Sequence, residues 1–77
     1  MTPTDQIDFR ITLCTRLREA RTAQGMTQAM VAERAGLPPS LISHYESGRR
    51  CPAAWNLATL ADTLHVRSDY LLGLVDQ

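Results

Sequence analysis

Three glycines divide this chain into short helical pieces and leave little room for other secondary structure. Gly25, Gly36 and Gly48 each follow a run of apolar residues with helical periodicity, where a left-handed C-terminal cap ends a helix. Pro38 and Pro39 begin the segment after Gly36, at a position where the missing backbone N–H is tolerated. No stretch alternates apolar and polar residues, so no strand is predicted.

Helices are predicted between these breaks, and each carries an apolar stripe at the spacing of about 3.6 residues per turn. The five expected ranges are 6–23, 28–35, 39–46, 53–64 and 68–74. The residues expected to face the core are Phe9, Leu13, Leu17, Ala20, Val31, Ala32, Ala35, Leu41, Ile42, Tyr45, Leu57, Leu60, Ala61, Leu64, Tyr70, Leu71 and Leu74. The short connections predict a compact all-α fold, with residues 1–77 as one small domain.

Two further apolar features have alternative interpretations. Ile7, Ile11 and Cys14 form a second stripe beside the first on the N-terminal helix, and it belongs either to the core, which we favour, or to a protein interface. Trp55 lies about 160° from Leu57 on the helical wheel, away from the leucine stripe. It either anchors an interface with another protein or folds back over the Arg50 side-chain stem or the chain end.

Length and cysteine content exclude several classes of protein. A chain of 77 residues has no room for a second, ligand-sensing domain. Cys14 and Cys51 lack metal-ligand spacing to each other and to His44 or His65, so we expect plain thiols, no metal and no cofactor. The N-terminus lacks the basic and apolar regions of a signal peptide. No window approaches the roughly 18 apolar residues of a membrane span, so the protein is expected to be cytoplasmic.

The formal net charge is zero, but it is distributed unevenly. Residues 1–36 hold five arginines against four carboxylates, and residues 37–52 hold two arginines against one. Residues 53–77 hold one arginine against three carboxylates, so the acidity lies at the C-terminal end. The chain has no lysine, which fits bidentate phosphate and guanine contacts, but we favour the explanation by genome composition.

Residues 28–46 have the pattern of a helix, a sharp turn and a second helix. This is the plan of the helix-turn-helix, whose second helix enters the DNA major groove. On the helical wheel of residues 39–47, four polar side chains lie within about 60° of one another, opposite the apolar face. They are Ser40, Ser43, His44 and Ser47. They form either a face that contacts base edges or an ordinary solvated face.

Features on both sides of this helix favour DNA. Gln28 begins the preceding helix, where its amide and the free backbone N–H groups can bind a phosphate. Thr27, directly before it, is expected to be the N-cap of that helix. Arg49 and Arg50 follow Gly48, where they can contact the next phosphates along the backbone.

Linked motifs in this region resemble the Cro/C1-type helix-turn-helix family, also called the xenobiotic-response-element family. They are Leu13-x-x-Arg16-Leu17-Arg18-Glu19, Gly25-Met26-Thr27-Gln28, Val31-Ala32, Ala35-Gly36-Leu37, Ser40-x-Ile42-Ser43-x-Tyr45-Glu46-Ser47-Gly48-x-Arg50-x-Pro52, Leu57-x-x-Leu60-Ala61 and Val66-x-x-Asp69-Tyr70-Leu71-Leu72-Gly73. The match covers about residues 9–74 and leaves residues 1–8 as a short extension. The resemblance implies a five-helix, lambda-repressor-like fold that binds double-stranded operator DNA as a homodimer.

The resemblance also implies roles for particular residues. The phosphate-binding glutamine of the family falls on Gln28, and Thr27 joins it in the expected DNA-binding set. The base-contacting positions fall on Pro39, Ser40, Ser43 and His44, and the backbone contacts on Ser47, Arg49 and Arg50.

This chain departs from the family pattern at the start of the recognition helix. Pro38 and Pro39 stand where a capping Ser or Thr and a long polar residue are usual, which removes a cap worth roughly 1 kcal/mol. Because Pro39 cannot hydrogen-bond a base, specificity must depend on the other three positions, on Leu41 against a thymine methyl, or on DNA shape. The near-neutral charge predicts modest affinity and a shallow salt dependence.

Two functions remain after an enzyme is rejected. We predict a transcriptional regulator, most simply a repressor of phage, mobile-element or restriction–modification type that binds a pseudo-palindromic operator. The alternative is an antitoxin whose main partner is a toxin protein, with Trp55 and the stripe of Ile7 and Ile11 as its contact surface. The serines near His44 lack an orienting carboxylate, since Glu46 lies about 160° from His44 on the wheel.

Overall fold

The computed structural model describes residues 3–76, with side chains from Phe9 to Asp76. This part of the chain forms five helices and no strand: α1 (Pro3–Ala23), α2 (Gln28–Ala35), α3 (Pro39–Ser47), α4 (Ala54–Leu64) and α5 (Ser68–Leu72). The predicted all-α fold is confirmed. The helices begin or end within three residues of the predicted positions, the largest difference being the earlier start of α1.

The helix ends follow from local capping chemistry. The Thr27 side chain accepts a hydrogen bond of 3.1 Å from the Met30 N–H and caps α2, as predicted. Gly48 ends α3 in the left-handed conformation, with φ of 80°, a backbone geometry that side-chain-bearing residues rarely adopt. Pro38 precedes α3 without a side-chain cap, so this departure from the family pattern is present in the structure.

One hydrophobic core lies between the helices. Helix α1 contacts α3 and α5, α2 contacts α3 and α4, and α4 contacts α5. The buried apolar residues of this core are Leu13, Leu17, Ala20, Met26, Val31, Ala32, Ile42, Tyr45, Leu60, Ala61, Leu64 and Leu71. All of these except Met26 belong to the predicted stripes.

The prediction of a core position is wrong for two residues, Ile11 and Leu74. Ile11 is 55% exposed, because it lies about 160° around α1 from Leu13, whose side faces the core. Leu74 is 61% exposed, because α5 ends at Leu72 and Gly73 turns the chain away with φ of 81°. Cys14, in the same second stripe as Ile11, is partly buried. The side chain of Ile7 lies outside the described residues.

Helix α1 also holds the C-terminal segment through Arg16. Its Nη1 donates to the carbonyl oxygens of Tyr70 at 2.6 Å and Val75 at 2.7 Å. The guanidinium carbon lies 4.4 Å from the centre of the Tyr70 ring, in cation–π geometry.

Among residues 3–76, no helix has the length and apolar character that crossing a bilayer requires.

Candidate nucleic-acid interface

Helices α2 and α3 are joined by a tight turn. Gly36 ends α2 in the left-handed conformation, and the Leu37 N–H donates to the Ala32 carbonyl at 2.9 Å. Ala32 is buried, and its small side chain allows the two helices to approach closely. The turn therefore positions α3 across α2 with one side free of the core.

The free side of α3 carries the predicted polar face. Pro39, Ser40, Ser43 and Ser47 are exposed, and His44 is partly exposed. On the opposite side, Ile42 and Tyr45 are buried, and the Asn56 amide donates to the Tyr45 hydroxyl at 3.1 Å. Leu41 packs partly against the core, so only part of its side chain can reach a thymine methyl.

The polar face continues beyond the C-terminus of α3. Arg49 and Arg50 are both exposed, as predicted. Their backbone N–H groups donate to the His44 carbonyl at 3.0 and 3.3 Å, and the Ser47 hydroxyl donates to the same oxygen at 3.2 Å. These bonds fix the backbone that carries both arginines, so the guanidinium groups extend from a defined turn.

A buried ion pair beneath this face was not predicted from the sequence. Glu46 is 7% exposed, and its carboxylate accepts from Arg21 Nε at 2.7 Å and Nη2 at 3.0 Å. The same guanidinium donates through Nη1 to the Met26 carbonyl at 2.9 Å. The hydrogen bonds to Glu46 raise the pKa of Arg21 further above its ordinary value, against an opposing effect of burial. Both oxygens of the Glu46 carboxylate accept hydrogen bonds, as buried polar groups require. Through Arg21, the carboxylate links the end of α3 to Met26, just before α2.

The sequence held one signal for this pair. Glu46 is four residues after Ile42, so both lie on the same, buried side of α3. A charged residue in that position requires a partner, but nothing in the spacing identifies Arg21, which is 25 residues away.

Gln28 joins this network from the first turn of α2. Its Nε2 donates to Glu46 Oε1 at 3.2 Å, which fixes the direction of the amide. One amide hydrogen remains, together with the N–H groups of Gln28 and Ala29, because the first N–H groups of a helix have no intrahelical partner. These groups form a cluster of donors suited to an anion.

Glu46 cannot act as the orienting carboxylate of a nucleophilic site. Its two oxygens are occupied by Arg21 and Gln28, on the buried side of α3 away from the exposed serines. The exposed side carries hydroxyl, imidazole and guanidinium groups, which can hydrogen-bond a ligand.

Trp55 and Ile11, the two candidate interface residues whose side chains the structure describes, are both largely exposed to solvent. Trp55 is 73% exposed near the start of α4, so it does not fold back over the Arg50 stem or the chain end. Ile11 is the second such residue, on α1, and both leave apolar surface available to a partner.

Comparison with known proteins places these features in a family. A helix-turn-helix family model matches residues 17–71. The uncharacterized HTH-type transcriptional regulator YobD of Bacillus subtilis (strain 168) is 38% identical over 63 residues, which make up 82% of this chain and 56% of that protein. The chain spans about half the length of the curated relatives it matches.

Solved structures have the same fold. The crystal structure of the restriction-modification controller protein C.AhdI from Aeromonas hydrophila has a TM-score of 0.77 and 34% identity, over 80% of this chain and 94% of that one. The P22 c2 repressor protein, crystallised in complex with synthetic operator 9T, has a TM-score of 0.75 and 30% identity, over 78% of this chain and 91% of that one. With its linked motifs, five helices and buried α3 face, the chain belongs to the Cro/C1-type helix-turn-helix family and has the lambda-repressor-like fold.

Proposed function

We propose that this protein is a sequence-specific, DNA-binding transcriptional regulator that represses promoters by occupying an operator. The observation that carries the proposal is the exposed polar face of α3, between the donor cluster at Gln28 and the arginines at 49 and 50. The P22 c2 repressor was crystallised in complex with a synthetic operator, which supports the same use of the fold here.

Helix α3 is the element proposed to enter the major groove. Ser40 and Ser43 can donate to or accept from base edges, and His44 can donate to N7 or O6 of guanine. Pro39 offers only apolar contact at the N-terminal end of the helix. A readout based on short hydroxyl side chains and one imidazole leaves part of the specificity to DNA shape.

Phosphate contacts are proposed on both sides of α3. Gln28 and the Thr27 hydroxyl lie at the start of α2, and Ser47, Arg49 and Arg50 lie at the end of α3. Because the formal net charge is zero, these local groups rather than a general positive field must supply the electrostatic attraction. We therefore expect modest affinity and a shallow salt dependence for one protomer.

We further propose that two copies bind a pseudo-palindromic operator, with half-sites about one helical turn apart. A homodimer would double the phosphate contacts that a neutral protomer makes, and so offset its modest affinity. Trp55 and Ile11 are the exposed apolar side chains proposed to support assembly. Tryptophan emission and sedimentation equilibrium, measured over a range of protein concentrations, test this assembly.

The test of DNA binding is a fluorescence-anisotropy titration of the protein onto the DNA upstream of its own gene. A scrambled duplex of the same length and composition is the control, and both are titrated at several salt concentrations. Wild type is expected to bind the upstream fragment more tightly than the scrambled one. The Ser43→Ala/His44→Ala double variant is expected to lose much of this preference, with little change in its affinity for the scrambled duplex.

An undiminished sequence preference in the double variant would remove these two side chains from the readout. Equal, weak binding of wild type to both duplexes would contradict the proposed function. It would favour the alternative of a protein partner such as a toxin, for which Trp55 and Ile11 are the first surface to examine.

A further inference from the structure

We propose that Arg10, on the N-terminal part of α1, is an additional DNA-backbone contact held in place by the end of the recognition helix. The inference rests on the proposed function, because it concerns the same interface. It assigns to α1 a part in DNA binding that the helix-turn-helix segment alone does not include.

The geometry places Arg10 at the turn that carries the two exposed arginines. Its Nη1 donates to the Gly48 carbonyl oxygen at 3.1 Å, across 38 residues of sequence. Gly48 directly precedes Arg49 and Arg50, so the Arg10 guanidinium lies at the turn from which the other two arginine side chains extend.

Cys14, one helical turn further along α1, lies near the same turn. A methyl group built on Gly48 would lie 4.0 Å from Cys14 Sγ, so this part of α1 runs beside the end of α3. Arg10 and Cys14 are four residues apart and therefore lie on the same side of α1. This side of α1 therefore faces the turn at the end of α3.

The Arg10 guanidinium retains the capacity to bind a phosphate. It is exposed, and only one of its five N–H donors is used by Gly48. No carboxylate among the described side chains pairs with it. By contrast, Arg16 is bound to carbonyls and Arg21 to Glu46, while Arg67 pairs with Asp69 at 3.3 Å.

The hydrogen bond to Gly48 also reduces the cost of a phosphate contact. A free arginine side chain loses rotamer freedom when it binds, whereas one already held at its tip loses less. We therefore assign Arg10 as a bridge, which donates to the Gly48 carbonyl on one side and to a DNA phosphate on the other.

The experiment compares Arg10→Gln, Arg50→Ala and Arg67→Gln with wild type. It measures the affinity of each for the DNA upstream of the protein's own gene as a function of salt concentration. Gln removes the positive charge and keeps a polar side chain, but it is too short to reach the Gly48 carbonyl as Nη1 does. Arg67→Gln is the matched control, since it removes the same charge from a paired arginine at the acidic end of the chain. Unfolding in urea checks that each variant remains folded.

A plot of log affinity against log salt has a negative slope. Each lost phosphate contact lowers the magnitude of that slope by about 0.9. Arg10→Gln and Arg50→Ala are each expected to show this decrease, and Arg67→Gln is not. Between 50 and 200 mM salt, the affinity ratio of wild type to Arg10→Gln should fall by about threefold.

Two other outcomes overturn the inference and separate it from the proposed function. A lower slope in Arg50→Ala with an unchanged slope in Arg10→Gln restricts Arg10 to supporting the turn, and leaves the DNA-binding proposal intact. Wild-type binding without sequence preference or salt dependence contradicts both proposals. A merely structural role for Arg10 would change stability or affinity at all salt concentrations alike.

Discussion

At the scale of single residues, Glu46 is the buried charge among the described side chains, and its partners connect the core to the start of α2. A carboxylate on the buried side of a helix is costly unless its charge and its hydrogen bonds are matched. Arg21 and Gln28 supply those donors, and one of them is also a proposed phosphate contact. The ion pair therefore connects the core of the protein to the proposed DNA-binding surface.

Replacing Arg21 with Leu is expected to destabilise the protein by about 3–5 kcal/mol, because Glu46 would remain buried without its charged partner. Urea unfolding would show this as a lower midpoint with an unchanged slope. The Arg21→Leu/Glu46→Leu double variant should recover much of the loss, since an apolar pair fits the same site. A double variant no more stable than the single one would show that the charge itself is not the cause.

The pH dependence of this pair follows from the direction of the Arg21 shift. Glu46 raises the pKa of the guanidinium, so its contribution to stability is fully present below its unfolded pKa. On the alkaline side, that contribution is lost as the pH rises through the folded pKa of Arg21. Near neutral pH, Arg21 is therefore a fixed positive charge.

Residue-level partners were the least predictable part of the structure. The exposure of Ser40, Ser43 and Ser47 followed from the helical wheel, because it depends only on positions within one helix. The contact of Arg10 with Gly48 depends instead on how α1 crosses α3, over a separation of 38 residues. Periodicity within one helix carries no information about such a crossing.

At the scale of elements, the helices differ in how they begin. Helix α2 has a side-chain cap from Thr27, whereas α3 begins at Pro39 without one. Proline restricts the backbone of the recognition helix before folding but offers no hydrogen bond to its first N–H groups. The position of α3 thus depends more on its buried side and on its C-terminal glycine than on its start.

Thr27→Ala is expected to destabilise the protein by about 1 kcal/mol, because the Met30 N–H loses its partner. In a domain of this size, thermal unfolding should show a decrease of about 4–8 °C in Tm. Thr27→Ser keeps the hydroxyl and should restore most of the difference. Equal Tm values for Thr27→Ala and wild type would contradict a stabilising role for this cap.

Helix boundaries were predictable where a capping residue marks them. Gly36 and Gly48 end α2 and α3 in the conformation expected of glycine caps. The prediction extended α5 to residue 74 because it followed apolar spacing past Gly73, which ends the helix instead. A methyl group on Gly73 would lie 3.0 Å from the Thr12 side chain, so this turn also depends on tight packing against α1.

At the scale of the whole molecule, α1 organises the other elements. One side contacts α3 and α5, and Arg16 holds the segment after α5 through two carbonyl groups. The opposite side leaves Ile11 exposed. The all-α architecture followed from the sequence, whereas the division of α1 into a core side and a free side was only partly predicted, because two apolar stripes lie next to each other on it.

The proposed homodimer gives the last prediction, which uses the single tryptophan of the chain as its probe. Trp55 is 73% exposed, so a dilute monomer should show the long-wavelength emission of a solvated indole. If Trp55 is an interface anchor, raising the protein concentration should shift the emission to shorter wavelength as water is excluded. Sedimentation equilibrium measures the dimer constant over the same concentrations.

Trp55→Ala is expected to weaken dimerisation by at least about 2 kcal/mol, or roughly 30-fold, as hot-spot residues do. Its effect on the unfolding of the monomer should stay within about 0.5 kcal/mol, because an exposed side chain contributes little to the core. Ile11→Ala is the matched variant at the second exposed apolar position. If dimerisation occurs without an emission shift and is equally strong in Trp55→Ala, the dimer surface lies elsewhere. If only Ile11→Ala weakens dimerisation, the surface lies on α1.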